Sequence, residues 1–238
     1  MKLDILVFAS HPDDAELSCS GTIAKHISLG KKVGIVDLTR GERGTRGSAD
    51  LRDLESAESS KILGIHAREN LRMDDCFFKN DKEHQLKIIS MIRKYQPSII
   101  LANAVDDRHP DHARGSQLVK DSVFFSALGK IETQINGEIQ NPWKPDLLLH
   151  YIQDKFIAPD VVIDISDFVE IKIASIKAFS SQFYDPNSNE PETYISRPDF
   201  FESVNARHIE FGKSINARYA EGFTCDKLLG VNSLFELK

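Results

Sequence analysis

The sequence predicts an α/β fold: a Rossmann-like three-layer sandwich with a mostly parallel central sheet. Three observations carry this. Short apolar runs alternate with amphipathic helical patterns through the first half of the chain, the signature of β-α-β units. Glycine or a Gln-Pro pair closes each helical pattern. The apolar runs are four to seven residues of Val-, Ile- and Leu-rich sequence with little alternation, as expected of strands buried on both faces.

The elements follow in order. Residues 3–9 read as a buried strand. Residues 17–29 read as a helix with Ile23, Ala24 and Ile27 on one face and Gly30 as its stop. Residues 33–38 are a second strand. Residues 50–63 form a helix with Leu51, Leu54, Ala57 and Ile62 inward, closed by Gly64. A short strand lies near Asn70 and Leu71. Residues 81–95 form a helix with Ile88, Met91, Ile92 and Tyr95 on one stripe, broken by Gln96-Pro97. Residues 98–103 are again a strand, and later strands fall at 146–151 and 161–165. Asp167-Phe168-Val169-Glu170 has the spacing of a capping box opening a helix to about Phe179. Residues 180–199 carry three prolines and read as a long, functional loop. A last helix sets Phe201, Val204, His208, Phe211 and Ile215 at three-to-four spacing. No linker or repeat interrupts the 238 residues, so residues 1–238 are expected to form one domain.

Composition narrows the function. Hydrophobic residues make up 41% and charged residues 28% of the chain, ordinary for a globular protein. A net charge of −6 argues against a nucleic-acid partner, which calls for a basic face. The apolar start is too short to cross a membrane, lacks a cleavage signal, and leaves the cytoplasm as the expected compartment. Cys19, Cys76 and Cys225 are too few and too scattered for a disulfide framework and read as small hydrophobes.

Chemistry collects at two strand ends. His11-Pro12-Asp13-Asp14-Ala15-Glu16 follows the first strand, and Asp106-Asp107-Arg108-His109-Pro110-Asp111-His112 follows the strand at 98–103. In an open α/β sheet, ligands sit outside the carboxyl ends of the strands. With a Rossmann-like strand order the two loops meet in one crevice. A catalytic zinc takes three protein ligands and leaves room for water, whose pKa it lowers to roughly 7. The candidate ligands are His11, Asp14 and His112. Of the adjacent Asp13 and Asp14, one binds metal and the other is free to accept a proton. His109, one helical turn before His112, is placed to donate to an oxyanion or protonate a leaving amine. The plainer reading makes Asp14 and Asp111 helix caps. Two such loops at neighbouring strand ends favour metal chemistry.

The second strand runs into Thr39-Arg40-Gly41-Glu42-Arg43-Gly44-Thr45-Arg46-Gly47. Arg40, Arg43, Arg46 and Arg52 cluster there in an otherwise acidic chain. They form either an anion-binding loop or a solvated loop paired with Glu42, Asp50 and Glu55. The glycine spacing is not that of a dinucleotide fingerprint. His26, His66, His84, His150 and His208 have no ligand-spaced partner, and Trp143 reads as packing.

The two pieces Ser10-His11-Pro12-Asp13-Asp14-Ala15-Glu16 and Arg108-His109-Pro110-Asp111-His112 resemble the PIG-L/LmbE-like N-acetylglucosamine deacetylase family. Further segments resemble its bacillithiol-biosynthesis branch. Among them are Asp37-Leu38-Thr39-Arg40-Gly41-Glu42, Leu51-Arg52, Ser181-Gln182-Phe183 and Tyr219-Ala220-Glu221-Gly222-Phe223. The resemblance implies hydrolysis of the N-acetyl group of N-acetyl-α-D-glucosaminyl L-malate. It implies one zinc held by His11, Asp14 and His112, with iron or manganese as other acceptable ions. Asp13 is then the base and His109 the electrophilic or acid histidine. Arg52 resembles a substrate contact and Asp75 a sugar-hydroxyl ligand, and Glu42 and Arg46 lie in the loop that faces the malate. A homohexamer is also implied. Some relatives carry a tyrosine where this chain has Asp107, and Tyr184 in the long loop is the candidate to replace it. Deacetylation of another GlcNAc conjugate, or a metal-dependent phosphoesterase, are the competing readings. The latter commonly needs two metals ~3.5–4 Å apart.

Overall fold

The computed structural model describes residues 1–236. Its seven-stranded sheet has the order β3-β2-β1-β4-β7-β9-β8. The strands are β1 (Ile5–Ala9), β2 (Val33–Asp37), β3 (Ala67–Asn70), β4 (Ile99–Ala102), β7 (Leu147–Tyr151), β8 (Val161–Asp164) and β9 (Ala220–Thr224). The first five in spatial order run parallel, and β9 is antiparallel to both its neighbours. β1 and β4 are direct neighbours, with Val7 opposite Leu101. The loops after them therefore open side by side.

Alternate residues of β1 feed two cores, as the pleat requires. Leu6 and Phe8 join Ile88, Ile92, Leu118 and Val119 from α3 (Lys82–Tyr95) and α4 (Pro110–Ser126). Ile5, Val7 and Ala9 join Ala15, Cys19 and Ile23 from α1 (Asp14–Ser28). Helices α2 (Ala49–Leu63) and α5 (Val169–Lys177) pack with α1 on that same face. Helix α6 (Phe200–Ser214) lies against β9 and contributes Phe200, Val204, His208 and Phe211 to the interior.

Three expectations change. The inward face of α2 is not its leucine stripe: Leu51 is 39% and Leu54 69% exposed, while Arg52, Glu55, Ser56, Ser59 and Leu63 are buried. The buried side of this helix is polar because Arg52 lines the site, Glu55 accepts from Ser180 and Ser181, and Ser59 donates to Glu16, so apolar periodicity pointed the wrong way. At residues 166–168 the chain makes a 3-10 turn before α5, and no side chain caps that helix. The capping box does not form, because Asp164 Oδ1 accepts from the Ser166 amide and hydroxyl and organises the turn instead. Strand β9 and a hairpin of β5 (Gln134–Ile135) and β6 (Glu138–Ile139) were not anticipated. Asn136 and Gly137, at φ 52° and 83°, form the hairpin turn. That Asn-Gly pair was a readable signal for it.

Candidate functional site

The β1–α1 junction is the centre of the site. Asp13 occupies the N-cap of α1 in a left-handed conformation, φ 107° and ψ −24°, and its side chain makes no capping bond. For a residue with a Cβ this is a strained geometry. It turns the Asp13 and Asp14 carboxylates apart. Asp14 faces the histidines: its Oδ1 is 3.1 Å from His112 Nε2 and its Oδ2 is 3.5 Å from His11 Nδ1. The His11 amide (2.9 Å) and Asn103 Nδ2 (3.0 Å) donate to Oδ2, and Gln153 Nε2 (3.1 Å) donates to Oδ1. Asp14 is therefore not a helix cap, and neither is Asp111. The cap of α4 is His109, whose Nδ1 accepts from the Asp111 amide at 3.2 Å.

Each ligand candidate among the histidines has one ring nitrogen committed behind it. His11 Nε2 lies 3.1 Å from Asp75 Oδ1 and 3.2 Å from Asp111 Oδ2. His112 Nδ1 lies 2.5 Å from Asp107 Oδ2. Carboxylates behind the rings orient them and leave His11 Nδ1 and His112 Nε2 facing Asp14. Such outer partners are the usual support of a metal-binding histidine. Nitrogens of His11, His109 and His112 also approach within 4.8 Å of one another, as do His11 Nε2 and the carboxylates of Asp75 and Asp111. The second trio is already joined by its own hydrogen bonds and shares His11 with the first.

The electrostatics call for a cation. Burial opposes charge on His112, yet Asp14 and Asp107 raise it to about 9. Burial likewise opposes charge on His11, but Asp111, Asp14 and Asp75 raise it well above the ordinary imidazole value. Burial would also lift the Asp75 carboxyl, but His11 holds it at about 2. A group of carboxylates that recruits protons onto two histidines is one that a divalent ion would satisfy. The residues thus fit a bound metal.

Asp13 stands apart. Burial pushes its carboxyl up to about 7, against the pull of the Arg52 charge. Its Oδ2 has no hydrogen-bond partner among the described residues, with Arg52 Nη1 3.5 Å away. In the same cavity, burial and the neighbouring His11 and His112 lower His109. Since its Nδ1 accepts a backbone amide, the neutral ring carries its proton on Nε2.

These groups line an open cavity of about 180 Å³. Of the expected substrate residues, Asp75 and Arg52 line it, while Arg46, Glu42 and Tyr184 do not. Arg52 is largely engaged, donating to the Pro12 carbonyl (2.9 Å) and to Gln182 Oε1. Arg46 donates to the Ser181 carbonyl and Ser188 Oγ, tying down the long loop. Glu42 Oε1 accepts from the Asp75 amide, one step behind the wall. Tyr184 is half exposed on the same long loop. Arg40 pairs with Asp50 and Asp53, which favours the solvated reading for that arginine. Sequence reasoning missed Gln153, Arg108, Tyr194 and Arg207 in the cavity wall. The Tyr194 hydroxyl donates to Asp154 Oδ1 (3.0 Å), and the Arg108 guanidinium lies 4.2 Å from its ring centre. Gln153 and Asp154 follow β7, so the strand-end rule could have flagged them. Tyr194 and Arg207 carry no local signal.

A family model described as PIG-L, GlcNAc-PI de-N-acetylase, matches residues 6–123. That span holds both histidine-bearing loops. The chain belongs to the PIG-L family. It is a metal-dependent N-deacetylase of that family. Diacetylchitobiose deacetylase of Thermococcus kodakarensis is 28% identical over 228 residues, covering 92% of this chain and 81% of the relative. The conserved protein TT1542 of Thermus thermophilus superposes with a TM-score of 0.84 at 35% identity, covering 97% of this chain and 98% of that one. Pyrococcus horikoshii N,N'-diacetylchitobiose deacetylase gives 0.76 at 27% identity, covering 92% and 82%. These named relatives carry the deacetylase family and not its bacillithiol branch. No helix of the described residues is long and apolar enough to cross a membrane.

Proposed function

We propose that this protein hydrolyses the N-acetyl group of a GlcNAc conjugate, with His11, Asp14 and His112 holding one divalent cation, zinc foremost. The observation that carries this is Asp13 Oδ2, buried with no hydrogen-bond partner among the described residues, in the cavity that His11, Asp14, His112 and a neutral His109 also line. Bound there, the cation supplies Lewis-acid activation of water and of the amide carbonyl. Asp13 takes the proton of the attacking water, and Arg52 keeps that carboxylate in place. His109 donates a hydrogen bond from Nε2 to the developing oxyanion, and Asp13 passes the proton it took from water to the leaving amine. Water and amide become acetate and free amine. Iron or manganese suits the same donor set.

Asp75 faces the space for a sugar hydroxyl. Arg43, Arg108 and Arg207 line the same cavity and support an anionic aglycone. The narrower reading, implied by the resemblance to the bacillithiol branch, is N-acetyl-α-D-glucosaminyl L-malate. Glu42 and Arg46 act by holding the loops that carry Asp75 and the cavity wall. Tyr194 lines that wall, and Tyr184, on the same long loop, is the residue proposed for the tyrosine role. One domain spanning 1–238, a cytoplasmic setting and a homohexamer complete the proposal, and the last is checked by light scattering.

An acetate-release assay decides the substrate. Metal-stripped protein is reconstituted with zinc, iron or manganese and offered the malate conjugate, the inositol conjugate, diacetylchitobiose and GlcNAc. The expected result is no turnover without metal and the highest kcat/KM on the malate conjugate. Equal rates on all four remove malate specificity and keep the deacetylase. Cleavage of phosphate esters with no acetate released replaces the reading with the phosphoesterase.

A further inference from the structure

The segment Tyr219-Ala220-Glu221-Gly222-Phe223 stands out in the sequence and has no part in the chemistry above. Its Glu221 lies in β9, buried and outside the cavity lining. Both its oxygens reach into the middle of that helix. Oε1 accepts from the Gly21 amide at 3.0 Å and Oε2 from the Thr22 amide at 2.7 Å. Lys172, buried in α5, donates from Nζ to Glu221 Oε1 (2.8 Å), to the Glu16 carbonyl (2.9 Å) and to the Leu17 carbonyl (2.8 Å). An ammonium has three donors, and all three are used.

In a regular α-helix the Gly21 amide serves the Leu17 carbonyl. Here each of those two groups bonds one member of a buried ion pair. The Lys172–Glu221 pair thus sits at a rung of α1, one turn after Asp14, and clamps the helix to α5 and β9. The neighbouring Glu16 carboxylate is held from the other direction by Arg68 Nη1 at 2.6 Å and Ser59 Oγ at 2.7 Å. The first turn of α1 carries Asp14 and, at its cap, the strained Asp13, whose side chain makes no capping hydrogen bond.

We infer that Glu221 and Lys172 are positioning residues that fix the first turn of α1 so that Asp14 meets the metal and Asp13 the water. The inference rests on the proposed metal site but not on which conjugate is cleaved. A buried ion pair is weak evidence for stability as such, since an apolar pair of like volume often serves as well. A carboxylate bidentate to two helix amides adds what an apolar pair lacks, a defined height and rotation of the helix.

The test compares wild type, Glu221→Gln, the charge-free pair Lys172→Met/Glu221→Leu, and Ile92→Ala on the opposite face of the sheet as a stability control. Readouts are hydrogen exchange of the peptide covering residues 10–22 in metal-free protein, zinc affinity by competition with a chelator, and kcat and KM at saturating zinc. We expect Glu221→Gln to exchange faster in that peptide, to lose about 10- to 100-fold in zinc affinity, and to lose kcat with KM within about threefold. The charge-free pair should recover thermal stability without recovering zinc affinity. Ile92→Ala should lose stability with zinc affinity intact. Zinc affinity and kcat of Glu221→Gln or of the charge-free pair within about twofold of wild type overturn the inference. So does an Ile92→Ala protein that loses zinc affinity in proportion to its melting temperature. If Glu221→Gln does not fold, the charge-free pair alone decides; if neither folds, the pair is a folding element and the inference is overturned. Wild type that binds no zinc sinks the proposed function instead.

Discussion

Asp13 and Asp14 are adjacent in sequence and opposite in circumstance. Asp14 is saturated with hydrogen bonds and faces two histidines. Asp13 has an oxygen with no hydrogen-bond partner among the described residues and a carboxyl pushed up to about 7. The φ of 107° separates them, at a cost of about 1–3 kcal/mol. Asp13→Ala should keep its metal and lose roughly 10²–10⁴-fold in kcat. His11→Ala should come from purification without metal. Elemental analysis beside acetate release reads both, and metal loss from Asp13→Ala would exchange the roles of the two aspartates. His109 is neutral and donates from Nε2, so His109→Ala should cost about 10²–10³-fold in kcat with metal content unchanged. A His109→Ala protein with near-normal turnover would hand the donor's role to another group. At this scale the two motifs were legible in the sequence, because His-Pro-Asp-Asp and His-Pro-Asp-His are local. It could not say that Asp111 and Asp107 stand behind His11 and His112, since that depends on ring orientation.

The elements show where periodicity works and where it fails. Helix α3 buries Ile88, Ile92 and Tyr95 as its pattern implied, because one face meets an apolar sheet. Helix α2 buries Arg52 and Glu55, because its inner face meets the Pro12 carbonyl and the Ser180–Ser181 turn. Helix α1 depends on a small residue. A Cβ at Gly21 would lie 2.7 Å from Ile165 Cδ1 and 2.9 Å from Ile165 Cβ. In an open helix, Gly→Ala stabilises by about 1 kcal/mol. Here Gly21→Ala should destabilise by about 1–3 kcal/mol, a fall in melting temperature of about 3–10 °C. Calorimetry checks the sign, and an unchanged or raised melting temperature would mean that Ile165 moves aside freely.

For the molecule as a whole, acid sensitivity has a buried source outside the cavity lining. His208 of α6 is buried, and burial, with Lys172 and Arg207 adding to it, holds its pKa well below the ordinary value. The unfolded imidazole takes its proton near pH 6.5, and the folded one only well below. The unfolded state therefore binds more protons as pH falls. Stability contributed by the neutral ring is full above pH 6.5 and is lost as pH drops toward the depressed folded value. Between pH 7.5 and 5.5 wild type should lose about 1 kcal/mol more than His208→Gln. Urea unfolding at both values reads this, and equal losses would remove His208 as the source. His150 is lowered by burial too, so the variant should reduce the sensitivity without abolishing it.

By itself the sequence determined the alternation of strands and helices, the two histidine-bearing loops, and the family they belong to. Those features are written in contiguous residues, through hydrophobic period and motif spacing. Tertiary structure alone decided the rest. It placed β9 between β7 and β8, and so brought Glu221 under α1 from 200 residues away. It set Tyr194 and Arg207 in the cavity wall and left Arg46 and Tyr184 outside it. It turned the polar side of α2 inward. The physical reason is the same in each case: a side chain's partner is fixed by which elements the sheet order makes neighbours, and a strand order is a property of the packed whole.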